Sequence, residues 1–326
     1  MTNVIAYPAW VQVLKSDYLD SYIKEGGSAI KFAVLMEEGT LTGLSTHLKQ
    51  AASELGYLTV AVDARQTRVN LLQEVFFKIA EQIDWRFLAR QVVEKLLLES
   101  GYGIPAQSDD SLLAVIAQEN GLDPSLIRSE IGRKLNDQVF RHRGLVKDFR
   151  VAMMKLCLAE LSGGEDGSYT AGALTDWLTG RNRRLGAVKP YEIYNSISRT
   201  NARYMFESLV CWVRFAGHTG LLVLLDITRL TLSRNPHDED NYYTRASVMD
   251  AYELLRKFID AIDRLPGSLI VVAASTEFLN EDPGARGLGD YQALRFRVAD
   301  EIRDRNLVNP MATLVRVSDG EPGGGT

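Results

Sequence analysis

The stretch that most suggests a binding or catalytic role is 34–45, "VLMEEGTLTGLS", between an apolar run and a helical pattern. A phosphate-binding loop belongs at such a junction and has the pattern G-x-x-x-x-G-K-[ST]. Its glycines let backbone N–H groups approach phosphates, its lysine neutralises their charge, and its hydroxyl holds magnesium. Counted from the apolar run, Met36 and Leu41 stand at the two glycines, Thr42 at the lysine and Gly43 at the hydroxyl.

The chain therefore departs from this pattern at every diagnostic position. Gly39 alone keeps the usual character of the loop, and Leu41 brings a side chain where backbone should meet phosphate. Glu37 and Glu38 add negative charge beside it. Replacing lysine by threonine removes a charge-assisted contact worth about 2–3 kcal/mol.

A second acidic position follows the apolar run "LLVLLD" and is occupied by Asp226. An aspartate at the end of such a strand orients magnesium in nucleoside triphosphatases, and a glutamate that activates water would follow it. Here Ile227 follows. The run "VVAAS" leads to Ser275 and Thr276, which either sense a γ-phosphate or cap the next helix. These observations predict a vestigial nucleotide site made of Gly39, Thr40, Thr42, Gly43, Asp226 and Thr276, with no catalytic residue.

A basic stretch lies between Arg128 and Lys155. It contains eight basic and three acidic residues, although the whole chain has a net charge of −5. Clustered Lys and Arg suit DNA phosphates or an acidic partner. The competing interpretation is a set of solvated helix faces. The candidate contact residues are Arg141, Arg143, Lys147 and Arg150.

Five short apolar runs predict strands buried on both faces, as in a parallel sheet covered by helices. They span residues 30–35, 58–63, 221–226, 268–275 and 311–317. Helical patterns at 44–56 and 247–265 alternate with them, which indicates an α/β fold.

The middle of the chain shows only helical patterns, among them 84–100, 122–135 and 170–180. Asp123 followed by Pro124 is a strong helix start. The predicted organisation is a first part of the α/β core at 1–80, an all-helical insertion at 81–217, a second part of the core at 218–317, and a disordered tail at 318–326.

The composition narrows the remaining classes of protein. The chain has 326 residues, 46% of them hydrophobic, and no apolar run approaches the roughly 18 residues of a membrane span. The N-terminus has no signal-peptide pattern, so a cytoplasmic protein without membrane contact is expected. The two cysteines and four histidines show no metal-ligand spacing, and no G-x-S-x-G or H-E-x-x-H motif occurs.

The order of these features resembles the BREX-system ATP-binding domain family, P-loop proteins of bacterial phage-defence operons related to AAA+ ATPases. The resemblance implies an AAA+-like P-loop core, a five-stranded and mostly parallel sheet, with helical insertions. The matching stretches are "YLDSYIKEGGSAIKF" (18–32), "SISRTNARYMFESLVCWVRFAG" (196–217), "GHTGLLVLLD" (217–226), "YYTRASVMDAYELLRKFIDAID" (242–263) and "GLGDYQALRFRVADEI" (287–302).

The resemblance also assigns roles to single residues. It implies a metal position at Asp226 and a sensor position at Thr276. It places arginines near the nucleotide or a neighbouring subunit at Arg286, Arg295 and Arg297. The alternative for these arginines is ordinary ion pairing with Asp282, Asp290 or Asp300.

Three functions follow as hypotheses. The preferred one is a degenerate ATPase relative, without a cofactor, that serves as a structural or regulatory subunit of an anti-phage or DNA-processing complex. Its partners would be other subunits, an intact ATPase paralogue or further copies of itself. The second is an active subunit that binds ATP and magnesium through an atypical loop. The third is an adaptor that contacts DNA through the basic helical insertion.

Overall fold

The computed structural model describes residues 4–104, 111–298 and 308–320. Two compact units are present. The sheet unit comprises the residues up to Val75 together with those from His218 onward, and the helical unit is Phe76–Gly217.

The sheet unit contains a six-stranded, all-parallel sheet. Its strands are β1 Val4–Ala6, β2 Ser28–Leu35, β3 Leu58–Asp63, β4 Leu221–Asp226, β5 Ser268–Ala274 and β6 Leu314–Ser318. Across the sheet the order is β1-β6-β2-β5-β4-β3. Every residue of β4 and β5 is buried, which explains their unbroken apolar sequence.

Eleven α-helices occur in the described ranges. They are α1 Tyr7–Val13, α2 Thr40–Glu54, α3 Leu72–Ala80, α4 Trp85–Glu99, α5 Leu112–Asn120, α6 Pro124–Leu135, α7 Lys147–Ser162, α8 Gly164–Leu178, α9 Ala202–Phe215, α10 Arg245–Asp260 and α11 Gln292–Val298. Two π-helical segments, Leu14–Ile23 and Asn136–Phe140, continue α1 and α6.

Helices cover both faces of the sheet. On one face α1, the π-helical segment after it and α2 pack their apolar side chains on the central strands. On the other face Phe32 of β2 stacks on Phe278, with ring centroids 5.8 Å apart. Tyr252 of α10 meets Phe278 edge-on at 5.6 Å. Burial on both sides is the arrangement that a parallel sheet requires.

Sequence patterns place several helix starts in the helical unit correctly, because the capping residues are local. Asp84 and Asp123 accept hydrogen bonds from the backbone N–H groups of Phe87 and Ser125. The helix expected at 170–180 begins earlier, at Gly164 in α8. Trp85 meets Phe149 edge-on in the interior, with centroids 6.1 Å apart.

The prediction of five mostly parallel strands is wrong in number and understates the parallel pairing. The additional strand, β1, has three residues and runs directly into α1, so it is too short for an apolar pattern to identify. The run predicted at 311–317 is displaced, since the strand begins at Leu314 and ends at Ser318. Ser318, assigned to the disordered tail, is buried in β6; residues 321–326 lie outside the described ranges.

Candidate functional site

The carboxyl ends of β2 and β5 form the crevice where an open parallel sheet binds ligands. After β2 the chain passes β5 and β4 to reach β3 at one edge of the sheet. After β5 it runs in the opposite direction, past β2, to reach β6. Neighbouring strands whose connections leave in opposite directions create a topological switch point. The loop at 36–39 and the turn that starts at Ser275 border this point.

The loop after β2 has four residues and leads straight into α2. Its first N–H, from Met36, donates to the Val317 carbonyl at 3.0 Å. Gly39 has a φ of +100°, a left-handed conformation that favours glycine. Glu37 and Glu38 are exposed. The loop that borders the crevice therefore carries two exposed carboxylates, and that of Glu37 accepts a hydrogen bond from the Asp319 backbone N–H at 3.4 Å.

The first turn of α2 contains a buried hydroxyl without a partner. Thr40 is fully buried, and its Oγ1 forms no hydrogen bond with any described residue. Leu41 packs against the core, and Thr42 is exposed. Gly39, the residue before the helix, contributes no side-chain cap. Helix N-termini attract anions because their backbone N–H groups point outward.

The predicted hydroxyl position, Gly43, lies under the ring of Tyr7. A Cβ atom at Gly43 would come within 2.4 Å of the Tyr7 hydroxyl oxygen. The Tyr7 ring also meets His47 edge-on at 5.1 Å between centroids. A serine or threonine at Gly43 would therefore collide with Tyr7. Sequence reasoning missed Tyr7 because it lies 36 positions before Gly43.

Asp226, at the end of β4, is buried and satisfied within its own turn. Its Oδ1 accepts hydrogen bonds from the Thr228 backbone N–H at 2.8 Å and from the Thr228 hydroxyl at 2.7 Å. Burial raises the pKa of Asp226 above its usual range, and the nearby Asp63 carboxylate acts in the same direction. Asp63 is its register partner on β3. The final aspartate of the run 58–63 was the available signal for this second carboxylate.

Ile227 occupies the place expected of a water-activating glutamate. Its side chain is buried, and its backbone N–H donates to the Ala273 carbonyl at 2.8 Å. The position is thus part of the hydrophobic interior. A carboxylate there would have to be buried without a partner, which is costly.

The turn after β5 directs its hydroxyls to protein groups. Ser275 Oγ lies 2.9 Å from Thr231 Oγ1. The Ser275 hydroxyl, followed by smaller contributions that include Thr276, holds the pKa of Glu277 below its usual range. Thr276 is exposed and begins a short 3₁₀ turn, so it does not cap a long helix.

The carboxyl edge of the sheet is acidic. Carboxylates end or follow five of its six strands, at Glu37, Glu38, Asp63, Asp226, Glu277 and Asp319. No lysine occurs in the described connections at 36–39, 64–71, 227–244, 275–291 and 319–320. Among the described residues no group of three or more His, Cys, Asp and Glu is arranged to hold a metal ion. These donors do not fit a bound triphosphate.

The three arginines implied by the resemblance are all engaged within the sheet unit. Arg286 donates to the carbonyls of Leu232 and Tyr243, and its guanidinium lies over the Tyr242 ring. Arg295 pairs with Glu281 at 2.7 Å. Arg297 pairs with Asp260. The partners proposed from sequence differ: Asp290 instead pairs with Arg245, and Asp300 lies outside the described residues.

The four residues of the basic stretch fall into two classes. Arg141 pairs with Asp137 at 3.1 Å, and Arg150 donates to the Phe140 carbonyl at 2.9 Å. Arg143 and Lys147 are exposed and form no ion pair or hydrogen bond with other described residues. The structure thus divides a stretch that the sequence presents as uniform.

Comparison with protein families now adds a decisive observation. A sequence model of the family described as BREX system ATP-binding protein BrxC/D matches residues 112–320, more than half of the chain. The chain belongs to this BrxC/D family. The matched range includes Asp226, Thr276 and the three arginines, whereas the loop at 36–39 precedes it.

Family membership indicates a role in the BREX phage-defence system. A comparison with curated proteins gives no significant match. Within the described ranges, no helix of this BrxC/D family member combines the length and apolarity needed to cross a membrane.

Proposed function

We propose that this BrxC/D family member is a non-hydrolysing subunit of a BREX assembly. It retains an AAA+-like α/β core as a structural or regulatory element, and its nucleotide site is vestigial. The family description supports membership of the defence system. The degeneracy of the site is the new part of the proposal.

The acidic, lysine-free carboxyl edge of the sheet is the observation that carries this proposal. A triphosphate bound at the switch point would approach the loop that carries Glu37 and Glu38, and Asp226 ends the strand next to β5. Two like charges 4 Å apart repel by about 4 kcal/mol at the effective dielectric of a protein surface. The neighbouring connections contain no lysine, and three of their arginines are already engaged: Arg65 with Asp240, Arg229 with Asp238, and Arg286 with backbone carbonyls.

The chemistry of hydrolysis is missing independently of binding. Ile227 is buried where a base would activate water, and Asp226 already accepts two hydrogen bonds from Thr228. Tyr7 fills the space beside Gly43 that a magnesium-binding hydroxyl would need. Each feature removes a different component of phosphoryl transfer.

An ATP- and magnesium-binding subunit is the second candidate, and Thr40 favours it. Its buried Oγ1 has no described partner at the N-terminus of a 15-residue helix beside the switch point. A buried hydroxyl left unsatisfied costs about 1–3 kcal/mol, so a ligand oxygen would relieve that cost.

The proposed partners are other subunits of the assembly, including an ATPase paralogue with an intact site or a second copy of this chain. Arg295 and Arg297 are about one-third exposed and lie on α11, where they could exchange an internal carboxylate for a neighbour's phosphate. Arg286 is too deeply engaged by carbonyls to do so.

Hydrolysis of magnesium-ATP, measured as phosphate release, tests the proposal. We expect no turnover by the isolated chain, and none after Asp226→Asn substitution. Turnover that the Asp226→Asn variant abolishes would establish the second candidate. In an assembly with a hydrolysing neighbour, Arg297→Ala should lower the neighbour's rate; an unchanged rate would exclude that role for Arg297.

A further inference from the structure

In the helical unit, the segment before α7 is fixed along α9. The Val146 backbone N–H donates to Ser208 Oγ at 2.9 Å, and Ser208 Oγ donates to the Tyr204 carbonyl at 2.7 Å. A Cβ atom at Gly144 would lie 3.1 Å from Cys211 Sγ. Residues 142–146 therefore follow the α9 face that carries Tyr204, Ser208 and Cys211, which are one helical turn apart.

A third segment is tied to the same place. Asn195 Nδ2 donates to Asp148 Oδ2 in the first turn of α7 at 2.8 Å. Trp177 Nε1 donates to the Asn195 carbonyl at 3.2 Å. Tyr194 precedes Asn195, and Lys147 precedes Asp148, so the Asn195–Asp148 hydrogen bond brings the backbone segments that carry Tyr194 and Lys147 together.

Three cations in these segments have no partner in the described parts of the chain. Arg143 lies in the segment before α7, Lys147 is the first residue of α7, and Arg199 lies in the turn before α9; all three are exposed. The acidic residues of the same segments are already engaged: Asp137 with Arg141, Asp148 with Asn195, Glu192 with Lys155, and Glu207 with Arg203. The local positive charge is therefore uncompensated.

Two tyrosine rings accompany these cations. Tyr194 is 57% exposed and Tyr204 is 50% exposed. Neither ring stacks on another described aromatic side chain. Unpaired bases stack on exposed aromatic rings while neighbouring Lys and Arg bind their phosphates, and this combination is typical of single-strand binding surfaces. In a duplex the base faces are already stacked, so the rings would contribute little.

We propose that the helical unit binds single-stranded nucleic acid through a surface that we call the tyrosine strip. The tyrosine strip consists of Arg143, Lys147 and Arg199, which would contact phosphates, and of Tyr194 and Tyr204, on which bases would stack. The site is independent of the sheet edge and of its proposed loss of hydrolysis. It narrows the basic stretch to Arg143 and Lys147 and adds residues distant from them in sequence.

Fluorescence anisotropy with a labelled oligothymidine of roughly 20 nucleotides tests the tyrosine strip. An oligonucleotide of this length is longer than the stretch that the strip would contact. Tyr194→Ala or Tyr204→Ala should each raise the Kd about 5- to 100-fold, because stacking on one base is lost. Tyr204→Phe should bind like the natural chain. Arg143→Ala and Lys147→Ala should each reduce the slope of log K against log salt by about 0.7.

Two substitutions in the same unit serve as matched controls. Arg128→Ala removes an exposed cation of α6 that has no ion-pair or hydrogen-bond partner among the described residues, and Tyr169→Ala removes a 77% exposed tyrosine of α8. Both should leave the Kd unchanged. Absence of binding at low salt, equal losses in strip and control variants, or tighter binding of a duplex that ignores both tyrosines would overturn the proposal.

Discussion

Lys31 provides a quantitative test of how the sheet unit is built. It is 4% exposed in the middle of β2. Its Nζ donates to the Tyr18 hydroxyl and the Met311 carbonyl, both at 2.6 Å, and to the Ala312 carbonyl at 3.2 Å. These carbonyls precede β6, so the lysine nearest in sequence to the loop after β2 points away from the carboxyl edge. It does not replace the missing phosphate lysine.

Burial lowers the pKa of Lys31 from 10.5 to about 8. The folded protein therefore releases this proton more readily than the unfolded chain does. The free energy of unfolding should increase as pH rises from the folded pKa toward the unfolded one. Integrated from about pH 7 to pH 9.5, the Lys31 contribution increases by about 2 kcal/mol.

The Lys31→Met variant isolates this contribution. Buried Cys157 acts in the opposite direction over the same range, because burial raises the pKa of its thiol and the unfolded thiol ionises first. The difference between the natural chain and the variant cancels that effect. Measured by chemical denaturation, the difference should change by about 2 kcal/mol in favour of the natural chain as pH rises. A difference independent of pH would refute the assigned burial of a charged Lys31.

Three further predictions concern the candidate site. Thr40→Val should raise the free energy of unfolding by about 1 kcal/mol, since it removes an unsatisfied buried hydroxyl; a loss of stability in denaturation would contradict this. Gly43→Ala should stabilise the fold by about 0.5–1 kcal/mol in a Tyr7→Ala background, because alanine favours a helix interior over glycine. In the natural background the new methyl group would meet Tyr7, so no gain is expected, and a double-mutant cycle measures this difference. Asp226→Asn should stabilise the fold near neutral pH. Because the pKa of Asp226 is raised in the folded state, the natural chain loses stability as pH rises through that folded pKa. Asparagine does not ionise, and its amide oxygen can still accept the hydrogen bonds from Thr228. Equal pH profiles of the two proteins would count against it.

The bounds of β3 and β4 were predicted most accurately, since the runs at 58–63 and 221–226 match these strands residue for residue. Continuous apolarity marks β4 as a strand covered on both faces. In the edge strand β3 only Val60 and Val62 are buried. β1 was not predicted, because a strand of three residues is too short to show a recognisable hydrophobic pattern. The displaced start of β6 has a physical reason as well: the carbonyls of Met311 and Ala312 bind Lys31 instead of joining the strand.

Local departures from the phosphate-loop pattern were visible in sequence, whereas contacts between distant segments were not. Ile227 after Asp226 is a nearest-neighbour fact, and the structure adds only that its side chain is buried. The placement of Tyr7 over Gly43 depends on α1 packing beside α2. Likewise, the partners of Arg295 and Arg297 lie 14 and 37 positions earlier in the chain, so sequence proximity suggested the wrong carboxylates.

Thermal unfolding with and without millimolar magnesium-ATP tests the central claim most directly. A ligand present at about 100 times its dissociation constant would add ~2.7 kcal/mol to the stability of the folded state. The vestigial site predicts no shift in Tm for the natural chain, and none for Asp226→Asn or Thr40→Val. A magnesium-dependent shift that either substitution abolishes would show that the loop after β2 binds nucleotide and would contradict the account.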